Sequence, residues 1–154
     1  MRPRIYLDTS VIGGCLDEEF AQWSKRLMEE CQQGHVIAVI SELTRRELEE
    51  APPPVQAQLA ALPAQHVEHV YLTEEAETLA QRYLDEDVVG PQHLVDAQHI
   101  AIATVERVDV VVSWNFKHIV NLDRIHGFNA VNLKAGYQLL EIRSPAEVIH
   151  EENI

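Results

Sequence analysis

Cysteine is nearly missing from this chain. Only Cys15 and Cys31 occur, sixteen positions apart and without a Cys-x-x-Cys spacing, so neither a zinc site nor a disulfide framework is indicated, and a reducing, cytosolic setting is expected. Long apolar runs are missing too: Asp8 interrupts the run that follows the N-terminal arginines, and no run approaches the roughly 18 apolar residues of a membrane span. A soluble, cytoplasmic protein with no export signal is expected. Positive charge is scarce, 12 Lys and Arg against 25 Asp and Glu, for a formal charge of −13 and a pI near 4.9. That argues against nucleic-acid binding through overall attraction, which rests on Lys and Arg. It leaves room for a local basic rim, and for acids gathered in one cleft where a divalent cation relieves their repulsion. Internal repeats and low-complexity stretches are not found.

What is present fits a single domain over residues 1–154, long enough to bury roughly 70% of its unfolded surface without staples. Three short apolar runs mark strands: residues 4–7, 36–40 and 108–113, the last containing Val110, Val111 and Val112. A stretch at 66–72 alternates enough to be a strand or an extended connection, and 139–142 reads as a last strand. Between them, helical spacing runs over 17–33 (Phe20, Trp23, Leu27, Met28, Cys31), with Asp17 as cap and Gly34 as stop. Further helices are expected from Ser41 to about residue 50, from the proline corner at 52–54 through Leu62, from the cap Thr73 onward, over 92–105, and after Ser144 and Pro145. The chain between Ser113 and Tyr137 reads as irregular. Strands alternating with helices imply a three-layer α/β/α arrangement around a central, mostly parallel sheet of four to five strands.

The first strand runs straight into Asp8, Thr9 and Ser10. In an open α/β sheet such a residue sits at the carboxyl edge, where ligands bind. Two roles are open to Asp8: holding a cation, or accepting backbone N–H bonds in the turn after the strand. Glu47 follows the second strand, one turn beyond Leu43 on the same helix face. Asp96 stands at the start of a helix that is apolar from Ala97 to Ala103, where an unpaired charge is costly and needs compensation.

Leu7-Asp8-Thr9-Ser10, Ser41 with Glu47 six residues on, the run from Asp96 to Ala103, and Ser113-Trp114-Asn115 together resemble the successive motifs of the PIN domain family. The resemblance spans residues 5 to about 118. It implies the fold of a metal-dependent single-strand ribonuclease, as in the VapC-like toxins of toxin–antitoxin pairs, with a single-stranded RNA substrate, an antitoxin protein partner and a homodimer expected. By that resemblance Asp8, Glu47 and Asp96 correspond to the metal-binding acids and Ser113 to the hydroxyl that supports the first of them. The family usually has a fourth acid where this chain has Asn115, which still offers a carbonyl oxygen but removes a charge, weakening the case for a second ion.

The cofactor expected is Mg²⁺ or Mn²⁺, with Asp8 as central ligand, Glu47 completing the shell and Asp96 orienting the attacking water. Thr9 or Ser10 would fix Asp8. The substrate side is assigned to Thr9, Ser10 and Ser113, with Lys117, Arg45 and Arg46 as phosphate contacts or else as solvated helix charges. Eight histidines do not make a zinc spacing. His99 and His118 could line the groove but read more simply as surface or core residues; Trp114 reads as core before it reads as a base-stacking platform, and Cys15 as structural rather than nucleophilic. The rival function is a catalytically weak PIN-like module that binds RNA or protein; a flap-type DNA nuclease is a third, poorer fit.

Overall fold

The structure, a computed structural model, describes residues 2–152, with side chains through residue 149. Its five strands are β1 (Arg4–Leu7), β2 (Ile37–Ser41), β3 (Val67–Val70), β4 (Val110–Val112) and β5 (Ile142–Arg143). They form one sheet in the order β3-β2-β1-β4-β5, and every pairing is parallel. The central β1 is buried from Ile5 to Leu7, as its apolar run requires. Its side chains alternate: Tyr6 joins a core with Leu79, Tyr83, Ile100 and Phe128, while Ile5 and Leu7 join a second core with Val11, Leu27, Met28 and Ile149.

Eight helices supply the outer layers: α1 (Thr9–Gly13), α2 (Ala21–Gln32), α3 (Glu42–Glu49), α4 (Pro53–Ala60), α5 (Glu74–Asp85), α6 (Leu94–Val105), α7 (Leu122–Lys134) and α8 (Pro145–Glu152). Expected caps hold several of them. Ser41 Oγ accepts from the Thr44 N–H (3.3 Å) and Thr73 Oγ1 from the Ala76 N–H (3.2 Å). Ser144 and Glu147 bond reciprocally across the start of α8, a capping box. The end of α2 turns at Gly34 with φ +77°, a conformation in which a side chain is strained, and a Cβ there would strike the His66 ring. No described helix is long and apolar enough to cross a membrane.

Three expectations need correction. Helix α2 starts at Ala21, four residues late: Asp17 accepts the Glu19 N–H in an Asx turn (2.8 Å), and residues 18–20 form a turn ahead of the helix. The last strand is β5 alone; Leu140 is held instead by Asn129, which bonds both its N–H and its carbonyl. The stretch read as irregular contains the thirteen-residue α7, capped by Asn121. Its low-propensity residues disguise it, and each has a tertiary use. Gly127 lies against Val88, where a Cβ would come to 2.9 Å, and Asn132 is fully buried between Tyr83 and Thr104.

From β1 the chain builds outward through β2 to β3, then crosses to β4 and β5 on the other side. The carboxyl ends of β1 and β4 therefore flank the point where strand order reverses, the place such sheets leave open as a crevice.

Candidate metal centre

At that crevice an open cleft of about 520 Å³ is lined by Asp8, Thr9, Ser10, Glu47, Asp96 and Asn115, with Gly13, Gly14, Asp17, Phe20 and Trp114 forming its other wall. The three acids singled out in sequence thus reach one cavity from three elements: Asp8 from the end of β1, Glu47 from α3 and Asp96 from the first turn of α6.

Asp8 is 7% exposed and begins α1, yet its side chain makes no capping bond. The turn-acceptor role left open above is not the one it plays. Its Oδ2 instead accepts from two hydroxyls, Ser10 Oγ at 2.7 Å and Ser113 Oγ at 2.8 Å. Those hydroxyls are fixed in turn, because Ser10 Oγ accepts from the Trp114 N–H (2.9 Å) and Ser113 Oγ from the Asn115 N–H (3.0 Å). With both hydroxyl hydrogens committed to Oδ2, Oδ1 is turned to the cleft, 3.7 Å from His99 Nε2.

Asp96 meets the compensation problem seen in sequence only in part. Burial and the nearby Asp8 charge raise its carboxyl pKa, against the weaker opposing pull of His99, His118 and His93. Its ion pair is with His93 Nδ1 at 3.7 Å, and the His93 ring stacks on His118 with centroids 3.5 Å apart. The Nδ1 of His118 is buried without a hydrogen-bond partner, and its pKa is lowered by burial and by the adjacent His93.

Glu47 is more exposed, its side chain 43% open, but it is held at Oε1 by Thr9 Oγ1 (3.2 Å) and by His99 Nε2 (2.7 Å). His99 itself is 1% exposed. Its Nδ1 lies 2.6 Å from the Tyr6 hydroxyl, which donates to Ser41 Oγ at 2.7 Å. Nε2 faces the Glu47 carboxylate, which takes its N–H, and Nδ1 faces the Tyr6 hydroxyl. Burial opposes a charge on the ring; the Glu47 hydrogen bond and the charges of Asp8, Glu47 and Asp96 outweigh it and raise the His99 pKa.

Asn115 faces the cleft, but its Oδ1 accepts from the His118 N–H (2.9 Å), and it is its backbone N–H that reaches Ser113. The three cations proposed as phosphate contacts are not brought into the cleft. Arg45 contacts His69 Nδ1 (2.5 Å) and lies over the Tyr71 ring at 5.3 Å, Arg46 pairs with Glu42 (2.9 Å), and Lys117 borders a separate hollow with Glu86, Asp123 and Arg124. Adjacent positions on a helix point to different faces, so closeness to Glu47 in sequence did not carry Arg45 and Arg46 there, and Lys117 lies in the turn after Asn115.

Two cleft residues carry no site role in the sequence reading: Asp17, there a helix cap, and Phe20, there core. His99, for which a groove role and a core role both stand in the sequence, is buried yet reaches Glu47; it shares a helix face with Asp96 at spacing i, i+3. Phe20 stacks on Trp114 with centroids 4.2 Å apart, and Trp114 Nε1 donates to the buried Ser24 (2.8 Å). The tight fit of Gly14 against Trp114 and Ser24 leaves no room for a side chain on that wall. Cys15 is buried, its thiol pushed up to about 11 by burial, and is structural as expected.

No protein-family model matches the chain, and no curated protein matches it in sequence. Solved structures do match its fold. A chain of the VapBC2 complex of Rickettsia felis, bound to a promoter DNA fragment, superposes with TM-score 0.55 at 12% identity, over 92% of this chain and 98% of its own. VapC20 of Mycobacterium tuberculosis, a toxin that cleaves the sarcin–ricin loop, gives 0.55 at 17% identity, over 88% and 98%. A DNA-bound VapBC of Salmonella typhimurium gives 0.53 at 17%, over 93% and 98%. At these identities the likeness shows a shared PIN-like fold.

Proposed function

We propose, starting from that shared fold, that the chain is a divalent-metal-dependent endoribonuclease acting on single-stranded RNA, the toxin half of a toxin–antitoxin pair with a VapB-like antitoxin as partner. The observation that carries the reading is Asp8: a carboxylate buried at the sheet's switch point, with one oxygen bound by two serines and the other turned to a cleft it shares with Asp96 and Glu47. The partner is supported by the neighbours solved as VapBC complexes.

Among the described residues no three acids, histidines or cysteines form a ready-made cage for an ion. Mg²⁺ does not ask for one; it keeps several waters and takes one or two carboxylates plus substrate phosphate. A buried and a half-buried acid that repel each other, with oxygen-only donors, suit that hydrated, hard cation, and Asp8 and Asp96 are the residues that would hold it, with Glu47 beside them. When bound, such an ion supplies an acidified water and charge neutralisation at phosphorus. The protein's own part is positional. Ser10 and Ser113 fix the Asp8 carboxylate, and Asp96 would orient the attacking water. Phe20 and Trp114 form an apolar wall against which a base can stack.

One observation favours the rival binding module: Asn115 stands in for an acid and its carbonyl is already used. Incubating purified protein with labelled single-stranded RNA, in Mn²⁺ and in chelator, separates the two. Cleavage confined to Mn²⁺ is expected; retention of the RNA uncut in both is the module's result.

A further inference from the structure

Among the described residues His99 is a fully buried histidine that touches two of the acids, Asp8 and Glu47, and the proposed cleavage gives it no task. Both faces of its ring are specified from inside the protein. Nδ1 meets the Tyr6 hydroxyl of β1, the Tyr6 ring packs against it edge-on with centroids 5.7 Å apart, and the Tyr6 hydroxyl is anchored on Ser41, the cap of α3. Nε2 points the other way, 2.7 Å from Glu47 Oε1 and 3.7 Å from Asp8 Oδ1. A histidine serving only the core would find its partners among core carbonyls; this one ends a chain of contacts, Ser41 to Tyr6 to His99, at the cleft.

Glu47 needs such help, because its side chain is 43% exposed and fixing it costs side-chain entropy. Thr9 Oγ1, at 3.2 Å, is a long and exposed second contact. His99 is already ordered, so its N–H can hold the carboxylate without a further entropic cost. Groups that orient ligands in this way commonly change metal affinity as much as some ligands do.

We propose that His99 is a positioning residue: braced by Tyr6, it holds the Glu47 carboxylate beside Asp8 and presents the two together to a divalent cation. The inference rests on the metal-site reading of the cleft. Calorimetric titration of the full chain with Mn²⁺, independent of any cleavage, tests it. His99→Leu should weaken Mn²⁺ binding by roughly 10–100-fold. His99→Gln, whose amide N–H can still reach Glu47, should recover most of the loss, and Tyr6→Phe, which keeps the ring and removes its brace, should lose less than His99→Leu. Glu47→Gln, which removes the held carboxylate itself, should weaken binding at least as much as His99→Leu does, and the double variant no further than Glu47→Gln, because His99 acts only through that carboxylate. Should His99→Leu fail to fold, the same cycle with Tyr6→Phe decides. Wild-type affinity or tighter binding in a folded His99→Leu protein overturns the proposal, as do additive losses in the cycle. Asp8→Asn is the control. If wild type binds Mn²⁺ and Asp8→Asn does not while His99→Leu is unaffected, the inference fails and the metal site stands; if wild type does not bind Mn²⁺, both fail.

Discussion

Arg4 and Asp8 stand at opposite ends of the same strand and are treated in opposite ways. Arg4 is surrounded by acceptors: Glu68 takes two of its N–H bonds (2.5 and 2.9 Å), the carbonyls of Glu106 and Arg107 take others, and Asp109 accepts from its backbone N–H. The bond to Glu68 raises the guanidinium pKa and lowers the Glu68 carboxyl in turn. At the carboxyl end, Asp8, Asp96 and Glu47 share one cleft, and their described ion pairs are with histidines alone. Charge at the amino end is neutralised within the fold. Charge at the carboxyl end is left for something from outside, which is the mark of a site rather than of a scaffold.

The sharpest way to break the comparison is at Asp8. Asp8→Asn keeps the size of the side chain and removes the charge that Ser10 and Ser113 orient, so cleavage at saturating Mn²⁺ should fall at least about a hundredfold, roughly 2.7 kcal/mol. Rates within a few-fold of wild type would return the acidic cleft to a structural role. At the other end, Arg4→Met should cost about 2 kcal/mol of stability in urea unfolding by stranding Glu68 and the carbonyls, and leave Mn²⁺ affinity unchanged. A loss of Mn²⁺ binding there would mean the two ends are coupled. The pH dependence follows from Glu68: because its folded pKa is lowered, its contribution is present above the unfolded value and disappears as pH falls through the folded one. The Arg4 variant should lose that part of the acid limb.

The smallest effect is expected at Asn115. Its Oδ1 accepts from the His118 N–H, a bond that aspartate can also accept, so Asn115→Asp adds charge to the cleft without undoing the turn. Mn²⁺ should bind more tightly by less than about tenfold, within 1.4 kcal/mol. Unchanged or weaker binding in the same titration would show that Asn115 is not a depleted ligand.

The same contrast sorts what could be read from the sequence. Strands β1, β2 and β4 are visible as short continuous apolar runs because a parallel sheet covered on both faces asks for nothing else, and an acid at the end of β1 or at the start of the apolar α6 is visible because it breaks the run. Residues that serve two purposes were less visible. Gly127 and Asn132 weaken α7 locally while making contacts whose partners lie far away in sequence, and His99 is at once core and site, so both roles stood open in the sequence. Arg45, Arg46 and Lys117 erred the other way: near the acids along the chain, they turn to other partners in space.

The central claim is that the carboxyl end stores repulsion that a divalent cation relieves, and Asp96 tests it most directly. Its pKa is raised in the fold by burial and by Asp8, so the folded state holds that proton more tightly than the unfolded chain. The penalty is absent below the unfolded value and grows as pH rises through the folded one, leaving ionised Asp96 destabilising at neutral pH. Thermal unfolding of wild type and Asp96→Asn at pH 7, each in chelator and in millimolar Mn²⁺, should therefore cross. The variant melts higher in chelator. Wild type melts higher in Mn²⁺, where an ion at 100 times its Kd contributes about 2.7 kcal/mol that the variant forgoes. The same order of melting temperatures in both conditions, or no response of wild type to Mn²⁺, would contradict the claim.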